Sequence, residues 1–68
     1  MENLMEGLLS EIERVSGIRQ TYQMPELQGT GELAAHLMGL DIAMARKAIT
    51  DDNIVDMISM YKKLKEWE

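Results

Sequence analysis

The chain has 68 residues, with 7 Lys and Arg against 12 Asp and Glu, one His, no Cys and an apolar fraction of 46%. That length allows one domain, residues 1–68, burying about 60% of the surface its unfolded form exposes, and neither a disulfide nor a zinc cluster is there to staple it. The net charge of −5 argues against a direct nucleic-acid binder that neutralises phosphates, and no apolar run nears the ~20 residues of a membrane span.

Oligomerisation is the staple that remains, so a homo-oligomer is expected, a dimer first. Seven Met, two Tyr, one Trp and no Phe make the large apolar residues adaptable and weakly specifying. Met1 is followed by Glu2 and Glu6 rather than by a basic segment and an apolar run, which reads as a cytoplasmic chain without a secretory leader.

Met1, Met5, Leu8, Ile12, Val15 and Tyr22 recur at alternating four- and three-residue steps, with Arg19 the one polar member and Leu4 and Ile18 widening the stripe. This predicts an amphipathic helix over about 3–22. Ser16-Gly17 are weak helix formers inside it, yet the period resumes beyond them, so one continuous helix is expected. Pro25, Gly29 and the amides between Gln23 and Thr30 mark a loop, with Met24 and Leu27 tucked against the core.

A second helix is expected over about 31–50, with Thr30 as its N-cap and Leu33, Leu37, Leu40, Met44 and Ala48 as its buried stripe. Ala34, Met38, Ala45 and Ile49 flank that stripe. Gly31, Ala35, Gly39 and Ala43 form a row of small residues along the same helix, a groove another helix can approach within the chain or across a two-fold axis. Gly39 in mid-helix costs roughly 1 kcal/mol relative to Ala, so something should gain from the missing methyl.

Asp51-Asp52 break the pattern, and Asn53 with Asp56 three residues on can cap a third helix over about 54–67. Its buried face reads as Ile54, Met57, Ile58, Tyr61 and Leu64. Met60 and Trp67, beside Met57 and Leu64, form a second apolar row, which suggests a second surface to cover. Acids open each predicted helix and bases close it, complementing the helix dipoles, except that Glu66 and Glu68 weaken the last turn.

Candidate chemistry is sparse. His36 is the only side chain with an unperturbed pKa near neutrality, but it lacks an evident partner and reads as a surface or interface residue, with Glu32 one turn away. No catalytic, cofactor or metal residue is assigned. Asp41 sits beside the buried stripe, where desolvation demands a partner; Arg46, Lys47, a tyrosine hydroxyl or a base on a second subunit are the candidates. The interface residues expected are therefore Gly31, Ala35, Gly39, Ala43, Asp41, Met60 and Trp67. Lys62, Lys63 and Lys65 read as a solvated face, and a phosphate-binding role would need convergence with Arg14, Arg19 or Arg46.

The run Ala34-Ala35-His36-Leu37-Met38, then Asp41-Ile42, Ala45, Ala48-Ile49, and the ending Ile54-Val55-Asp56-Met57-Ile58, Tyr61, Leu64-Lys65-Glu66 resembles small uncharacterised helical proteins of tailed phages and prophages. The resemblance implies an accessory protein that binds a host protein or a small signalling molecule in the host cytoplasm. Together these readings predict an all-α three-helix bundle, a helical hairpin plus a third helix, completed by oligomerisation. The leading expectation for function is a non-enzymatic interaction protein, a modulator or inhibitor of a host factor. An oligomer sequestering a small anionic, nucleotide-like ligand at subunit boundaries is the alternative, and an acidic nucleic-acid mimic the third.

Overall fold

The computed structural model describes residues 3–24 and 31–68, which form three helices and no strand: α1 (Leu4–Tyr22), α2 (Glu32–Thr50) and α3 (Ile54–Lys65). Every pair of helices is in contact. Asn3 starts α1 by accepting the Glu6 N–H on its side-chain oxygen at 2.8 Å, satisfying one of the donors a helix start leaves open. The helix runs unbroken through Ser16-Gly17, as its resumed period predicts. The Thr30 cap and the burial of Leu27 lie outside the described residues. Gly31 is the N-cap of α2 and makes no side-chain cap bond. Met24, expected against the core, is 52% exposed.

The turn between α2 and α3 is tight. Asp51 closes α2, and Asp52 takes the left-handed conformation, φ 52°, with its N–H on the Ile49 carbonyl. The next N–H, that of Asn53, reaches the Ala48 carbonyl at 3.0 Å. These two bonds satisfy carbonyls that a helix end leaves open, and the left-handed residue reverses the chain. Asn53 then caps α3 by accepting the Asp56 N–H, while its side-chain amide donates to the Asp56 carboxylate. The Asn53–Asp56 pair read from the sequence is thus present, though it closes between side chains rather than on the Asn53 backbone.

The core is built from Leu8, Ile12 and Val15 of α1, Met38, Ile42, Ala45 and Ala48 of α2, and Met57, Met60 and Leu64 of α3. For α1, Leu8, Ile12 and Val15 of the predicted stripe are buried and Leu4, Met5, Ile18 and Tyr22 are partly buried against them, while Met1 lies outside the described residues. For α2 the predicted stripe is not the buried one: of Leu33, Leu37, Leu40, Met44 and Ala48 only Ala48 is buried. The helix is turned so that Ala35, Met38, Asp41, Ile42, Ala45 and Ala48 face inward. Two neighbours explain this. On its Ala35 flank α2 meets α1 through Arg19, and on its Asp41 flank it meets α3 through Trp67 and Lys63. Alanines on an inward arc let both helices approach, with Met38 as the large side chain between them.

The same rotation corrects α3. Met60 belongs to the core at 5% exposure and the Ile54, Ile58 side faces out, so the row read as a second surface is the inner one. Tyr61, expected in the buried face, is half-buried against the core, and its ring lies beside Gly7 of α1, where an added Cβ would come within 3.1 Å.

Candidate functional site

Three features of the helix surfaces bear on function, and each is set by which residues the core does not use. The first is a row on the outer side of α2. Leu33, Leu37, Leu40 and Met44 are 69%, 42%, 48% and 50% exposed, and their four-three-four spacing aligns them along one side of the helix. A second apolar cluster, Ile54, Val55 and Ile58, lies on α3.

The second feature joins the end of α3 to both other helices. Trp67 donates its indole N–H to Asp41 Oδ2 at 2.9 Å, and Lys63 Nζ stands 3.1 Å from Asp41 Oδ1. Asp41, 5% exposed, therefore has a partner on each oxygen, Lys63 from α3 and Trp67 from just beyond its end, rather than Arg46, Lys47 or a tyrosine. Arg14 of α1 completes the arrangement. Its guanidinium donates to the Trp67 and Leu64 carbonyls at 2.8 and 2.9 Å and is itself paired with Glu11. A cation that hydrogen-bonds the last carbonyls of a helix also complements its dipole. Of the residues expected at an interface, Asp41, Met60 and Trp67 thus make their contacts inside the chain.

The third feature is a groove of about 230 Å³ between α1 and α2, lined by Ser16 and Arg19 from one side and His36, Gly39, Ala43 and Arg46 from the other. Its shape follows from the small-residue row. Ala35 and Gly31 are buried, Ala43 is exposed, and the close neighbour of Gly39 is Arg19, whose Nε, Cζ and one Nη atom would lie 3.0–3.2 Å from an added Cβ. Arg19 Nε donates to the Ala35 carbonyl at 2.9 Å. Gly39, one helical turn beyond Ala35, is what leaves that carbonyl open to a side chain from α1.

A larger cavity, about 360 Å³, opens between Met44, Ala48, Ser59 and Met60. Its charged rim is already paired: Lys47 Nζ is 2.9 Å from the Asp51 carboxylate, which holds the ammonium pKa above its ordinary value chiefly by that hydrogen bond, and Asp56 is engaged with Asn53. His36 is exposed and, among the described residues, has no hydrogen-bond or ion-pair partner. Also among the described residues, no group of three or more metal-ligating side chains occurs and no helix is long and apolar enough to cross a membrane.

No family model matches the chain, and no curated protein and no solved structure matches it either.

Proposed function

We propose that the chain is a non-enzymatic interaction protein working through the outer face of α2, and that the occupant of that face is a second copy of itself. The observation that carries the reading is the aligned exposure of Leu33, Leu37, Leu40 and Met44. Covering one such half-exposed side chain contributes on the order of 1 kcal/mol, and a symmetric pair covers eight. That exceeds only the lower part of the ~4–15 kcal/mol cost of association, so the product is a weak, reversible dimer. Charge favours antiparallel pairing. Glu32 opens α2 and Arg46 stands near its end, so antiparallel copies set opposite charges side by side where parallel copies would oppose like ones.

Sedimentation over a concentration series tests the reading. The expected mass rises above 7.8 kDa with concentration, and Leu37→Glu returns it to the monomer value with helicity unchanged. A mass that stays at 7.8 kDa throughout removes the second copy as occupant and leaves a host protein, the partner implied by the phage resemblance, as the competing one.

A further inference from the structure

Most cations of this acidic chain are neutralised or engaged by the fold itself. Arg14 serves Glu11 and the Leu64 and Trp67 carbonyls, Lys47 pairs with Asp51, Lys63 with Asp41, and Lys65 sits 4.7 Å above the Tyr61 ring. Arg19, Arg46 and Lys62 differ: among the described residues none of them pairs with a carboxylate. Two of these three, Arg19 and Arg46, line one groove together with the only His of the sequence. No carboxylate is among the described residues lining it.

The groove is also built to present one of them. Arg19 is held by its Nε bond to the Ala35 carbonyl and by its contact with Gly39, which fixes the guanidinium plane while the N–H donors on its Nη atoms make no hydrogen bond among the described residues. A guanidinium fixed in this way meets two oxygens of an oxyanion at once and loses little freedom on binding. Ser16, on the same α1 wall as Arg19, adds a hydroxyl. Gly39, where the Arg19 guanidinium sits, and Arg46 are seven residues apart on one side of α2, about 10 Å along the helix axis and within the combined reach of two long side chains, so the groove suits a string of oxygens rather than a spherical ion.

We propose that this groove binds an extended phosphoryl-bearing anion, of the pyrophosphate or nucleoside-diphosphate class. The net charge of −5 does not by itself oppose such a ligand at contact distance. Charges beyond about 8 Å are largely screened at physiological salt, whereas the bidentate contacts act at hydrogen-bond distance.

The test is an amide-resolved NMR titration of the protein with pyrophosphate and, separately, with orthophosphate at physiological salt. The expected result is saturable shifts centred on Ser16, Gly39 and Ala43, with pyrophosphate the tighter ligand. Arg46→Ala, a change at an exposed side chain, should weaken pyrophosphate by about tenfold, the loss of one charge-assisted contact, while Lys62→Ala leaves it within about twofold. Absence of saturable shifts, equal weakening by Lys62→Ala, or orthophosphate binding as tightly as pyrophosphate would each overturn the proposal.

Discussion

The indole N–H of Trp67 donates to Asp41 Oδ2 at 2.9 Å, so the side chain just beyond the end of α3 is fixed to the middle of α2 by a nearly buried carboxylate. The two residues are 26 positions apart, and their bond holds together helices that the Asp51-Asp52 turn joins only at the far end. Trp67→Phe leaves Asp41 Oδ2 without its donor and should lower stability by ~1–2 kcal/mol; Asp41→Asn weakens both the indole and the Lys63 contacts by a similar amount. The double variant should lose less than the sum, since the shared bond can be removed once only. Denaturant unfolding of the four proteins checks it, and strict additivity would show that the bond does not form.

Gly17 and Gly39 make opposite predictions from the same residue type. An added Cβ at Gly17 meets nothing within 4 Å, so Gly17→Ala should stabilise the protein by ~1 kcal/mol through helix propensity alone. At Gly39 the Arg19 guanidinium must give way, so Gly39→Ala should gain less than Gly17→Ala, and Gly39→Leu should lose ~1–3 kcal/mol despite its better propensity. Thermal melts of the three variants rank them. Gly39→Leu melting at or above the parent would mean that this side of α2 has room.

Asp52 holds a left-handed φ of 52° where Gly is favoured. Asp52→Gly relieves the steric cost and keeps both reversing hydrogen bonds, giving an expected gain of up to ~1 kcal/mol. Chemical denaturation measures it, and a destabilised variant would show that the Asp52 side chain contributes a contact of its own.

Met60→Glu and Leu37→Glu separate core from outer face. Met60 is 5% exposed, so a carboxylate there should unfold the chain, not dissociate an oligomer. Leu37 is 42% exposed, so Leu37→Glu should keep the circular dichroism of the parent and alter only its mass. A folded, fully helical Met60→Glu protein would contradict the placement of Met60 in the core.

The sequence by itself determined the three helices, their boundaries to within two residues, the Asn53 start of α3, and Leu8, Ile12 and Val15 as the inward stripe of α1. Those features depend on local propensity, capping and a single unambiguous period, all of which are encoded within a few residues. Which way α2 and α3 face was decided by tertiary packing. α2 carries an alanine-rich arc and a leucine row on different sides, and hydropathy favours the leucines. The bundle instead buries Ala35, Ala45 and Ala48, because α2 lies against two neighbours and small residues let both come close. The partners of Asp41 were hidden for the same reason: Trp67 and Lys63 reach it only because α3 folds back along α2, and no spacing along the chain encodes that meeting. The convergence of Arg19, His36 and Arg46 likewise exists only where α1 crosses the small residues of α2.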